Sequence, residues 1–161
     1  MAQELDPVEE RVRAFLISRA RQADPGRSSR AKTEYQQVGR AVDPEELYWS
    51  WPRFRGLGEV LGNISVFEYQ HDRPLLSAIV VQAGTGQPGD GFYKGLLQDR
   101  LRFQLSPDEA RAFWREEIRK VVAYWNAAPG EEEPDTQAKV LALLTKIESH
   151  LEEVRALIAA G

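Results

Sequence analysis

Apolar residues recur at helical spacing in several long stretches of the chain, and most of these stretches carry their own start and stop signals. Asp6-Pro7 followed by Val8, Val12, Phe15 and Leu16 sets a cap, a first-turn proline and an apolar stripe in register, which predicts a helix over Pro7–Gln22. Asp24-Pro25-Gly26-Arg27-Ser28-Ser29 has turn chemistry and nothing apolar to bury, so a mobile basic loop is expected there. Thr33 offers a cap to a short helix carrying Tyr35, Val38 and Ala41, which Asp43-Pro44 should end. Over residues 54–69, Leu57, Val60, Leu61, Ile64 and Phe67 form one helical stripe despite Gly56, Gly58 and Gly62. Each of those glycines costs about 1 kcal/mol relative to alanine, and a bare backbone suits close approach by a neighbouring helix or by a ligand.

His71-Asp72-Arg73-Pro74 breaks that helix, and the branched apolar run from Leu75 to Val81 reads as a buried strand. Glycines then crowd the chain. Gly84, Gly86, Gly89, Asp90 and Gly91 are expected to form a flexible loop or hairpin tip, closed by a second strand through Phe92 and Tyr93. Ser106-Pro107-Asp108-Glu109 opens a helix with Ala110, Phe113, Ile118, Val121, Val122 and Trp125 on its stripe. An acidic linker over 127–136 follows. Val140, Leu144, Ile147, Leu151, Val154 and Ile158 then alternate in steps of four and three, a heptad seam. The expected fold is mainly α with a small β element (α+β): one domain over residues 1–126, and a heptad-patterned helix over 137–161 packing on that domain or on a partner.

Composition narrows the chemistry. The 161 residues are enough for one ordinary core, and the absence of cysteine excludes disulfides, thiolate metal sites and cysteine nucleophiles. No leader pattern opens the sequence and no apolar run approaches the roughly 18 residues of a membrane span, so a cytoplasmic protein without membrane attachment is expected. The net charge of -4 conceals a division. Residues 11–55 hold ten basic and five acidic side chains, while residues 105–161 hold seven basic and eleven acidic ones. Such asymmetry fits a basic binding surface on one part of the chain, or an ordinary solvated surface.

Catalytic patterns are not legible. Lys94 is followed by Gly95 with no Ser or Thr beside it, which departs from a phosphate-binding loop, and the spacing of Gly56, Gly58 and Gly62 departs from a dinucleotide fingerprint. His71 and His150 lie in unrelated segments; the first sits where a helix ends and is expected to meet free carbonyls, the second to lie on the surface. Ser65, Ser77 and Ser106 lack nucleophile-elbow context. Neither a cofactor nor a metal is implied. The remaining signal is Tyr48-Trp49-Ser50-Trp51-Pro52-Arg53-Phe54-Arg55, where rings could stack on bases beside phosphate-binding arginines, or bury as core.

The order Thr33-Glu34-Tyr35-Gln36-Gln37-Val38-Gly39, Arg55-Gly56-Leu57-Gly58-Glu59-Val60-Leu61-Gly62, apolar strand and glycine-rich turn resembles the winged helix of the alkylguanine-DNA alkyltransferase and alkyltransferase-like family over residues 33–93. The resemblance implies a short helix whose Tyr35 contacts DNA, a recognition helix whose Arg55 takes the place of a flipped base, and a wing after Leu76. The family's Pro-Cys-His-Arg segment is replaced by Pro74-Leu75-Leu76-Ser77, which excludes alkyl transfer. The segment from Pro74 to Phe92 is also similar to stretches of small uncharacterised bacterial proteins. The leading expectation is a non-enzymatic, bacterial-type protein that binds duplex DNA through Lys32, Tyr35, Arg40, Tyr48, Arg53 and Arg55. The alternatives are an adaptor or homodimer joined through residues 137–159, and a metal-dependent nuclease or nucleotide-acting enzyme using the glycine-rich loop.

Overall fold

A computed structural model describes residues 4–45, 55–127 and 132–160, with the side chains of residues 55 and 132–142 outside that description. The chain divides into two units, Met1–Ala127 and Ala128–Gly161. The first opens with α1 (Pro7–Gln22), fixed by a reciprocal cap in which the Glu9 amide donates to the Asp6 carboxylate at 2.7 Å and the Asp6 amide to Glu9 at 3.1 Å. A 3-10 helix over Pro25–Ala31 follows where a mobile loop was expected. Asp24 caps it and Ala31 is buried, so one small apolar residue anchors the otherwise polar segment.

Thr33 does not cap a helix. It belongs to β1 (Thr33–Glu34), and Glu34 is the residue at the start of α2 (Tyr35–Val42), with Gln37 accepting from the Glu34 amide at 3.0 Å. Next come α3 (Arg55–Gln70), a 3-10 turn over Leu76–Ile79 and β2 (Val80–Val81). The expected strand over 75–81 is therefore strand only at its end. Its partner is β1, paired in parallel with Thr33 opposite Val80 and Glu34 opposite Val81. Phe92 and Tyr93 form no second strand: they lie in a π-helix over Gly91–Arg100, whose wide turns end with the Leu101 amide donating to the Leu96 carbonyl at 2.9 Å. The wing of a winged helix is an antiparallel hairpin, so this part of the expected architecture is replaced by helix. Burial decides it, because Phe92, Leu96 and Leu97 are all buried at a spacing that a helix, and not an alternating strand, places on one side.

α4 (Pro107–Ala127) completes the first unit, started by a reciprocal cap between Ser106 and Glu109. The core lies where α1, α3, the 3-10 turn and α4 meet, around Val12, Leu16, Ile64, Leu76, Ile79, Val121 and Trp125. Asn126 ties α4 to the frayed carbonyls at the end of α1, its amide donating to Ala20 at 3.0 Å and Ala23 at 3.2 Å. The second unit is α5 (Glu132–Ala160), a helix that begins inside the segment expected as linker and holds Pro134 in its first turn, where no intrahelical donor is lost. Among the described residues no helix is long and apolar enough to cross a membrane.

Candidate nucleic-acid interface

The segment from Arg73 to Val81 runs through the interior with little regular structure, so its backbone groups must find side-chain partners. They do. The Leu75 amide donates to Glu117 Oε1 at 2.9 Å, the Ser77 amide donates to Ser65 Oγ at 3.1 Å, and Trp114 Nε1 donates to the Ala78 carbonyl at 2.8 Å. The Ser65 and Ser77 hydroxyls bond each other at 2.6 Å. Glu68, wholly buried in α3, holds Arg73 at 2.5 Å on one oxygen and Arg13 of α1 on the other. Both guanidinium groups also stand over the Phe67 ring at 5.4 Å. This framework fixes β2 against β1 and so delivers the glycine-rich loop to the start of α2.

The loop itself is internally bonded. The Gly86 amide donates to the Gln82 carbonyl and the Gln82 amide to the Gln87 carbonyl, both at 2.9 Å, and Gly86 has φ 65°, a conformation that favours glycine. Tyr35, the first residue of α2, hydrogen bonds through its hydroxyl to the backbone of Gly89. Burial pushes the Tyr35 phenol above its usual range, and the Gly89 bond opposes that shift. A crevice of about 20 Å³ is left between Tyr35, Gly58, Gly62, Ser77, Gly91 and Phe92, room for about one water molecule and too little for a nucleobase.

The two α3 glycines that border this crevice differ. A Cβ on Gly62 would lie 2.8 Å from Arg100 Nη1, the far end of the exposed side chain that closes the π-helix. A Cβ on Gly58 would meet nothing within 4 Å. The Arg100 side chain therefore lies over Gly62, and among the described residues nothing lies over Gly58.

Of the residues expected to bind DNA, Tyr35 is half-buried beneath the loop, and Arg40 is exposed in the last turn of α2. Lys32 is half-buried with its ammonium 4.9 Å from the Trp114 ring centre, so it serves the fold. Arg55 opens α3 but its side chain is outside the description, and Tyr48 and Arg53 lie outside the described residues. Asp90 and Gly91 are exposed, beside Gly89. His71 Nδ1 lies 2.8 Å from the Phe67 carbonyl, as a histidine at a helix end does, and His150 is exposed. Among the described residues no three His, Asp or Glu side chains converge on a metal-sized site.

Sequence reasoning set Glu68 among carboxylates that could face the glycine-rich loop and passed over Glu117, and assigned neither a partner across the core. Both carried a signal: each is a carboxylate on the buried stripe of its helix, Glu68 four residues after Ile64 and Glu117 four before Val121. A charge at such a position requires a partner across the core. No protein-family model, curated protein sequence or solved structure is significantly similar to the chain.

Proposed function

We propose that the unit spanning residues 4–127 is a non-enzymatic module that binds duplex DNA in the cytoplasm, using α2, the first turns of α3 and the glycine-rich loop as one face. The observation that carries this reading is Gly58: an exposed glycine early in a helix, costly to the helix, with no contact among the described residues that needs it. A phosphate or sugar edge can approach such a backbone closely, near the end of the helix where amide groups point outward. The Tyr35–Gly89 bond brings the loop to the same neighbourhood, and Arg40 supplies an exposed cation on α2. The resemblance to the alkyltransferase family adds Arg55 at the start of α3 as a groove-entering residue. Lys32 drops out of the interface.

The test is fluorescence anisotropy of labelled duplex and single-stranded DNA over a salt series, with Arg40→Ala and the Arg53→Ala/Arg55→Ala pair beside wild type. Binding of duplex that weakens steeply with salt and is lost in the double variant supports the reading. No duplex binding at low salt overturns it.

A second reading concerns α5 alone. Leu143, Leu144, Ile147, Leu151, Val154, Leu157 and Ile158 are between 50 % and 74 % exposed along one heptad stripe. We propose that this stripe assembles with a second copy of the helix, since steps of four and three match the seam of a coiled coil. Sedimentation of the full chain against Leu144→Glu/Leu151→Glu decides it: a dimer that becomes monomeric supports assembly, and an unchanged mass in both refutes it.

A further inference from the structure

On the first unit, a groove of about 530 Å³ is walled by the rings of Tyr69, Phe103, Phe113 and Tyr124 and bordered by Asp72 and Glu117. Its size falls within the range of small-molecule sites. Three of its rings meet at steep angles: Tyr69 and Phe103 are 5.9 Å apart at 70°, and Phe103 and Phe113 are 5.6 Å apart at 72°. In each pair the edge of one ring meets the face of the other, and together the rings form an aromatic corner at the groove.

The backbone around the groove is held in sparsely populated conformations. Asp72 has φ 56° and Arg102, the residue before Phe103, has φ 62°; among the described residues these are the non-glycine positions with positive φ. Asp72 takes this conformation where α3 ends, its amide donating to the Tyr69 carbonyl at 3.1 Å and the Arg73 amide to the Glu68 carbonyl at 2.9 Å, a helix cap that fixes the rim of the groove. Burial raises the affinity of Glu117 for its proton.

The charges sort by partner. Arg73 lines the groove but is committed to Glu68, and Lys120 is an exposed cation at its rim within electrostatic range of Glu117. The Asp72 carboxylate has no hydrogen bond or ion pair among the described residues, which leaves it as the available counter-charge.

We infer that this groove is a binding site for an organic ammonium ion on an apolar stem, its charge resting against the aromatic faces and balanced by Asp72. A quaternary ammonium suits such a corner best, because it cannot donate hydrogen bonds and gains from ring faces what it loses in water. The site stands apart from the face assigned to DNA and does not depend on that assignment.

The experiment is calorimetric titration of the full chain with choline and, separately, with 3,3-dimethylbutan-1-ol, the neutral molecule of the same shape. Choline binding that exceeds the alcohol by about tenfold, weakens with salt, and falls at least fivefold in Asp72→Asn and in Phe103→Leu supports the site. Equal binding of choline and alcohol makes the groove a merely apolar cleft and overturns the inference. So does the absence of choline binding. Circular dichroism of both variants separates loss of the site from loss of the fold, and Asp72→Asn, at an exposed position, keeps the test intact where Phe103→Leu unfolds.

Discussion

Replacing Gly58 by alanine moves stability and binding in opposite directions. The residue is the fourth of α3, and a methyl group built there meets no atom of the described residues within 4 Å, so the fold gains helix propensity at no steric cost among them. The gain is about 0.5–1 kcal/mol, which raises the melting temperature of a chain this size by roughly 1–4 °C. If nucleic acid approaches the bare backbone at this point, the same methyl holds it away, and duplex affinity falls by about tenfold, or roughly 1.4 kcal/mol. Gly62→Ala is the internal comparison. Its methyl would meet Arg100 Nη1 at 2.8 Å, the far end of a flexible exposed side chain, so Arg100 swings out and the stability change is smaller. Thermal unfolding and anisotropy on the two variants make the check. A destabilised Gly58→Ala refutes the claim that the fold does not need this glycine, and a stabilised variant that binds duplex as well as wild type removes Gly58 from the interface.

Glu68→Gln leaves two guanidinium groups facing a neutral amide in the core and is expected to cost on the order of 3–5 kcal/mol, read as a drop in the denaturant midpoint; a cost near zero would show that Arg13 and Arg73 reach water. The Glu117 carboxyl is raised above its ordinary range in the folded protein, because burial disfavours its charged form. The penalty is absent below the unfolded value and complete above the folded one, so stability falls as pH rises through that window. Glu117→Gln keeps an oxygen for the Leu75 amide and removes this slope; equal differences between variant and wild type at about pH 4 and about pH 7 would contradict the assignment. Asn126→Ala strips the Ala20 and Ala23 carbonyls of their shared donor and is expected to cost about 1–2 kcal/mol, with faster hydrogen exchange confined to the last turn of α1.

Local chemistry determined much of this protein in advance. Asp6-Pro7 and Ser106-Pro107 set the starts of α1 and α4, Asp43 ended α2, and the stripe from Leu57 to Phe67 made α3 a helix in spite of its glycines. These features depend on neighbours within a turn or two, and such information is written in consecutive residues. What tertiary structure decided depends on partners far along the chain. The apolar run after Pro74 reads as strand by composition, yet most of it is turn, because Glu117, Trp114 and Ser65 satisfy its backbone in place of a neighbouring strand. Phe92 and Tyr93 are helical because Phe92, Leu96 and Leu97 are buried together. Lys32, expected among the DNA-binding residues, has its ammonium over Trp114, a ring more than eighty residues away in sequence. The two glycines that looked alike in α3 separated only when their surroundings were known, Gly62 beneath Arg100 and Gly58 beneath nothing. A sequence states which residues resist burial or favour a turn; which side chain answers a buried amide or a buried charge is fixed by packing across the whole core.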